Sequence, residues 1–340
     1  MDVDRADVVA MAEAARQAPS VHNTQPWLLL GRPDGLVVAV DETRALPALD
    51  PTGRLRTISC GAAVANAALA ARARGLGTRV RLLPDGPRGT AVARLVVVGP
   101  RAASAAEQRL AAQMSRRRTH RALRPDDPVP TAVLVEVGET VADEGAALTV
   151  LDPAARGVLS KLLARAVRQQ QQRPELVLET RAWLRGPQRP HRHEAVDGML
   201  RSSVLTVPRG VGAPVLDRAR GPLDPLPLGR TVVALSTLGD TRRDHVVAGI
   251  ALQRLLLHLS ALDLVATYAD QATEVPGTRD QVSALLARPG QAQLVLQLGR
   301  ALVDVRVPPR RPLHDVLDPP DRPAAPTVID LTRTHERTPS

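Results

Sequence analysis

The sequence predicts an α+β chain, and three observations carry that expectation. Short apolar runs with strand character alternate with longer Ala/Leu-rich stretches of helical pattern. The chain has 340 residues, more than one hydrophobic core usually serves, so one large or two modest domains are expected. Placing Gly61 on Gly249 also superposes Ala63 on Ala251, Leu69 on Leu257, Ala73 on Ala261 and Leu76 on Leu264. A duplication would leave such a match, and so could two unrelated Leu/Ala helices. If it is a duplication, one chain carries two copies of a unit that could otherwise form a two-fold dimer.

The elements follow in order. Residues 4–17 read as an Ala-rich helix that ends where Pro19 biases Ala18 out of helical geometry. Trp27–Leu30 and Leu36–Val40 are strand-like runs around the turn GRPDG. Cys60–Gly75 is a helix pattern closed by Gly75 and Gly77, and Ala91–Val98 is a strand bounded by Gly99 and Pro100. Ser104 and Glu107 have the spacing of a capping box, opening a helix to about Arg117. Asp152 and Pro153 fit the N-cap and first turn of a helix that runs into Gln169–Gln172.

From Pro174 to Arg230 the pattern loosens, as in an excursion over a surface. Order returns with a strand at 231–237, a helix at about His245–Leu262 and a strand at Val265–Tyr268. A helix near 279–287 and a strand at 293–298 complete the series. After Pro319 the chain is Pro-rich and polar, a loose tail.

Composition narrows the function. Aromatic residues make up 1% of the chain (Trp27, Trp183, Tyr268, no Phe), so the core must be Ala, Leu and Val. The same scarcity argues against stacking on single-stranded nucleic acid. Net charge is +10, but Lys161 is the one lysine among 45 basic residues. That pattern looks like coding bias and weakens the case for an anionic macromolecular partner. One cysteine, Cys60, excludes an intramolecular disulfide and a cysteine zinc cage, and reads as a small buried residue. No apolar signal core opens the chain, and the uncharged run Thr57–Ala71 is shorter than the ~18 residues of a membrane span. A soluble cytoplasmic protein is expected.

Two segments stand out chemically. Residues 18–27 place Ser20, His22, Asn23, Thr24 and Gln25 between two prolines, where a helix has ended and a strand begins. Carboxamides supply a donor and an acceptor together, which suits a heterocycle edge such as the flavin pyrimidine ring; a polar turn after a helix is the plainer alternative. Residues 116–121 offer Arg117, Arg118, Thr119 and Arg121, guanidinium forks plus a hydroxyl, to a phosphate. Arginines complementing the end of a helix are the alternative there. The run Pro308–Pro312, with Arg310 and Arg311, is a second basic arm or a solvated exit. His191 and His193 lack further ligands at metal spacing, and no GxGxxG or Walker loop is present. No metal site is expected.

Taken together these segments resemble the nitroreductase-like flavoproteins, and most of all the twin-domain Acg family of actinobacteria. The likeness covers roughly residues 5–318. It rests on residues 18–27, on 50–54 with 60–63, on the Arg-Arg-Thr-x-Arg of 117–121, and on 310–317. It implies two fused nitroreductase-like units, each a mostly antiparallel sheet wrapped by helices, forming a pseudo-dimer within one chain. The units would span 1–104 and 105–318, with a lid insertion near 174–212 and a tail at 319–340. It further implies FMN, whose ring lies against Pro19, Ser20, His22, Asn23 and Gln25. The phosphate is held by Arg117, Thr119 and Arg121, with Arg118, Arg310 and Arg311.

The halves of the motif allow one complete site, so one FMN per chain is expected. NAD(P)H would be the reductant and a nitroaromatic or quinone-like compound the acceptor. Asp263-Leu264 departs from the family's Gly-Leu, and the resemblance names no catalytic side chain. A flavin-sequestering protein with a closed lid and a basic nucleic-acid scaffold are the other readings. Association into a homodimer stays open.

Overall fold

The computed structural model describes residues 3–120, 123–124, 127–184, 228–303, 305 and 308–318. Arg121, the expected lid beyond Leu184 and the tail after Asp318 lie outside the described residues.

The first half runs α1 (Arg5–Ala15), β1 (Trp27–Arg32), β2 (Gly35–Val40), α2 (Arg54–Ala73), β3 (Leu76–Leu82), β4 (Ala91–Pro100) and α3 (Ala105–Gln113). The second runs α4 (Thr131–Asp143), β5 (Ala147–Val150), α5 (Pro153–Gln171), α6 (Pro174–Leu184), β6 (Thr231–Thr237) and α7 (Arg242–Ala261). It closes with β7 (Val265–Tyr268), α8 (Gln271–Glu274), α9 (Pro276–Ser283) and β8 (Gln291–Gly299). The strands form two four-stranded antiparallel sheets, ordered β1-β2-β4-β3 and β5-β6-β8-β7. These are one topology used twice. Even the irregularity repeats: β2 slips against β4 between Val38 and Ala39, and β6 slips against β8 between Leu235 and Ser236. Bulges are specific features of a fold. A shared one therefore supports two copies of one unit, and the fold is an α+β pseudo-dimer.

The capping signals act as expected. Ser104 and Glu107 form the reciprocal box at α3, and Asp152 Oδ1 accepts from Ala155 N–H at the start of α5. Among the differences from expectation, three bear on the site. Helix α2 begins at Arg54, six residues before Cys60, because the Asp50 carboxylate takes the N–H groups of Leu55 (3.1 Å) and Arg56 (2.8 Å). Helix α3 stops at Gln113, releasing 114–120 into the space between the units. Residues 174–184 form a helix where the pattern had loosened, docked on the first unit by Glu179, which accepts from Ala48 and Leu49 N–H at 3.0 and 2.9 Å.

The units meet through α2 and α7, and small residues decide how closely. A Cβ on Gly61 would stand 2.4 Å from Val246 O, and one on Gly249 2.0 Å from Ile58 O. The positions are reciprocal, as two-fold contacts require: 61 lies on 246 and 249 lies on 58. Arg54 and Arg242, equivalent first residues of the two helices, each cross to the other unit. Arg54 donates to Gln293 O (2.6 Å) and Thr273 O (2.8 Å), and Arg242 to Pro87 O (2.9 Å) and Gly89 O. Fully buried Gln253 donates to Asn66 Oδ1 at 2.7 Å within the same interface. The segment after β8 then returns to the first sheet, where Leu29 N–H donates to Val316 O (2.7 Å) and Asp318 N–H to Leu29 O (2.9 Å). That pairing covers the β1 edge.

Gly249→Ala forces a methyl into a backbone carbonyl with no flexible neighbour to yield. It should destabilise the protein by about 1–3 kcal/mol or more in urea unfolding, with Gly61→Ala close behind. Wild-type midpoints in both variants would refute the close crossing.

Candidate functional site

The loop after α1 is tightly constrained. Residues Val21–Asn23 make a single 3-10 turn, and His22, Asn23 and Gln25 adopt φ of 47°, 52° and 50°. Left-handed non-glycine residues cost about 1–3 kcal/mol each and persist where their surroundings over-determine them. Here Ser20 Oγ accepts from Gln25 N–H (2.9 Å), Thr24 Oγ1 donates to Val21 O (2.9 Å), and buried Arg44 donates to Thr24 O. Arg44 is itself stacked on Trp183 of α6, 5.1 Å from the ring centroid. The result is a rigid rim that presents Pro19, Ser20, His22 and Asn23 to a cavity between the units.

That cavity contains about 1210 Å³ of space between atoms, its open mouth included. Its apolar wall comes from both halves: Leu55 and Ile58 of α2, Leu252 of α7 and Leu294 of β8. Arg117, Thr119 and Arg310 line it, as do Tyr268, Asp270 and Glu274. An apolar cleft with a few convergent polar groups at a domain interface is the usual form of a cofactor site.

The arginines explain what it would hold. The segment carrying Arg117 is tacked to β7, where Thr267 Oγ1 donates to His120 O at 2.8 Å. Arg117 Nη2 reaches Gln17 O (3.3 Å), and Arg310 Nη2 reaches the same oxygen (3.1 Å). Both charges therefore sit at the carbonyl end of α1, where a helix favours cations. Yet Arg117 Nε and Nη1, and Arg310 Nε, have no partner among the described residues. Burial lowers Arg117 to about 10, and burial with neighbouring Arg117, Arg118 and Arg16 lowers Arg310 to about 9. A guanidinium does not lose its proton at such values; they state that the fold holds these charges at a cost. A bound anion would remove that cost.

The structure brings most of the expected residues together and gives three of them another place. Pro19, Ser20, His22, Asn23, Arg117, Thr119 and Arg310 line the cavity. Gln25, Arg118 and Arg311 do not. Gln25 Oε1 accepts from Arg311 N–H at 2.8 Å, and the Arg311 guanidinium pairs with buried Asp41 (3.1 Å) and donates to Gln25 O (3.0 Å). Their carboxamide and guanidinium are spent on holding the basic arm against the loop. Arg118 is partly buried and donates to Arg117 O at 2.8 Å. Asn23 is engaged with Arg310 (2.9 Å) and Pro309 O (3.1 Å). Cys60 is buried, its thiol pushed up to about 12, and donates to Pro26 O. No cluster of three metal-ligating side chains occurs among the described residues.

Sequence reasoning missed Asp270 and Glu274. Acids four apart after a short strand carry no signal until the fold turns both toward one cavity.

Arg117→Met removes a buried charge whose Nε and Nη1 have no partner among the described residues. The ligand-free variant should be more stable by about 1–3 kcal/mol in urea, while losing any stabilisation that inorganic phosphate confers on the parent. A variant destabilised to the extent of an ordinary core truncation would contradict this placement.

No protein-family model matches the chain. A Mycobacterium tuberculosis protein named "Putative NAD(P)H nitroreductase" is 28% identical over 330 residues, covering 94% of this chain and 93% of the relative. The M. tuberculosis protein named "Putative NAD(P)H nitroreductase acg" is 26% identical over 319 residues, covering 91% and 95%. Among solved structures, the FMN-dependent nitroreductase NfnB of Mycobacterium smegmatis, in complex with NADPH, aligns with 58% of this chain and 88% of its own, at 20% identity and a TM-score of 0.32. No helix among the described residues is long and apolar enough to cross a membrane. With 26–28% identity running over nine-tenths of its length, the chain is a relative of the mycobacterial nitroreductase-like proteins that include acg.

Proposed function

We propose that the chain binds one FMN in the cavity between its units and acts as an NAD(P)H-linked oxidoreductase on nitro or quinone-like acceptors. The observation that carries this reading is Arg117, a buried guanidinium at the cavity wall whose Nε and Nη1 have no partner among the described residues. A phosphate offers acceptors to an unpartnered guanidinium N–H of this kind, to Arg310 Nε and to the Thr119 hydroxyl. The apolar wall of Leu55, Ile58, Leu252 and Leu294 suits a flat heterocycle beyond the phosphate.

In this reading residues 1–104 supply the loop Pro19–Asn23 and residues 105–318 supply the clamp. Gln25 and Arg311 act one step back, fixing the loop and the basic arm to each other. Arg118 adds positive potential, and Arg121 would complete the clamp. Residues 1–17 contain no Arg-Arg-Ser-like clamp and no second Asn-x-Gln-Pro-Trp loop occurs after 121, which supports one site per chain. Bound FMN supplies hydride-transfer chemistry, and the chain supplies binding, orientation and charge. The names of the mycobacterial relatives support NAD(P)H as donor. Burial of Arg117 speaks against the nucleic-acid reading, because an extended phosphate backbone cannot follow it inside.

The visible spectrum of the purified protein, with added FMN titrated, tests the assignment. Parent protein should take up one equivalent. The Arg117→Ala/Arg310→Ala double variant should bind at least about 100-fold more weakly, since each charge-assisted hydrogen bond is worth about 1.5–3 kcal/mol. Parent-like affinity in the double variant would discard the phosphate assignment. Trp27, buried beneath the loop, and Trp183, against Arg44, give a fluorescence readout of the same titration.

A further inference from the structure

The cavity contains a pair of groups that anion binding leaves unused. Asp270 follows β7 and stands at the head of α8. Its Oδ1 accepts from Val295 N–H of β8 at 2.8 Å, and no other hydrogen bond reaches the carboxyl group among the described residues. Glu274, one turn later, lines the same cavity and accepts from Gln170 of α5 at 2.6 Å. Both line a cavity whose wall includes Leu55, Ile58, Leu252 and Leu294, and a carboxylate buried there is poorly solvated.

Burial, with a contribution from Glu274, raises Asp270 from its ordinary 3.8 up to about 8, against the Val295 hydrogen bond and the charge of Arg54. Burial raises Glu274 as well. Arg54 of α2 is the nearest cation acting on the pair, and its guanidinium is already committed to Thr273 O and Gln293 O. Asp50 and Arg279 act on Arg54 in turn. The other titratable groups around the cavity are His22, Tyr268, Arg117 and Arg310. A carboxyl group kept neutral at physiological pH can donate a hydrogen bond and then its proton.

We propose that Asp270 is the proton donor of this cavity, hydrogen-bonding the oxygen of a bound acceptor and protonating it as the acceptor is reduced. The proposal rests on the flavin reading above for its supply of electrons. Bound FMN, reduced by a nicotinamide donor, would supply a quinone-like acceptor with a hydride equivalent of two electrons and one proton. The second proton comes from Asp270: its O–H bond breaks, the electron pair stays on the carboxylate, and a new O–H bond forms on the acceptor. Solvent at the cavity mouth reprotonates Asp270. Glu274 is a positioning residue that keeps the Asp270 proton in place.

Two readouts separate this proposal from the reading beneath it. Infrared difference spectra of the ligand-free protein should show a carboxylic-acid C=O band that persists at neutral pH, titrates near 8, and is missing in Asp270→Asn. Because the folded state holds this proton more tightly than the unfolded chain, stability should fall as pH rises between about 4 and 8, and Asp270→Asn should lose that fall. In the FMN-loaded parent, kcat with a quinone should decline above about pH 8. Asp270→Asn should lower kcat about 100-fold or more and remove the alkaline limb, with flavin content unchanged. Glu274→Gln should move that limb to lower pH. A parent protein that takes up no flavin overturns the flavin reading and the reductive role together. Flavin-loaded Asp270→Asn with parental rate and pH profile, or spectra without an Asp270-dependent acid at neutral pH, overturns the proposal alone.

Discussion

The crossing of α2 on α7 at Gly61 and Gly249 is the contact on which the rest of the structure depends. Two helices can approach until backbone meets backbone only where neither carries a Cβ, and here the reciprocal distances to Ile58 O and Val246 O leave room for none. That approach sets the separation of the two sheets. It also brings the first two turns of α2, with Leu55, Ile58 and Ser59, to within one cavity's width of Leu252 and Leu294. The arginines that open the two helices then fasten each to the opposite unit's backbone. A chain with 1% aromatic residues has little bulk to spend on its core, and close packing of Ala and Gly is how it compensates.

The pseudo-two-fold relates the scaffolds and leaves the chemistry one-sided. Where the first unit joins its opening strands by the turn at Pro33 and Asp34, the second inserts the whole stretch between Val150 and Thr231. The strained loop 20–25 exists in the first unit, and the basic arms 117–119 and 308–311 belong to the second. Fusion lets each copy keep the half of a composite site that it needs. Asymmetry is then a consequence of single-chain duplication, since each half is free to diverge in a way that identical subunits are not.

Charge in the site follows one rule. Every buried arginine that serves the fold has its carbonyl or carboxylate: Arg54 on Thr273 and Gln293, Arg311 on Asp41 and Gln25, Arg44 on Thr24. Arg117 and Arg310 share Gln17 O, Arg310 also reaches Asn23 Oδ1, and each keeps a donor without a partner among the described residues. The buried acids divide in the same way, with Asp50 capping α2 and Asp270 using one oxygen on β8. A polar group left partly unsatisfied inside a protein calls for an explanation, and a place for a ligand is one.

Local chemistry was legible in the sequence wherever it acts through neighbours. The capping residues Ser104, Glu107 and Asp152, the hairpin around GRPDG and the polar loop 18–27 all appear where their residue types require. The Gly61/Gly249 match was visible too, though not its meaning, because a repeat in sequence says nothing about which copies touch. Tertiary structure alone decided that those glycines lie on each other and that Gln25 and Arg311 face one another rather than the cavity. It alone set Asp270 against an apolar wall. Each of these is a contact between residues tens to hundreds of positions apart, and no spacing rule reaches that far. Their energetics depend on burial, which a chain acquires only when it closes on itself.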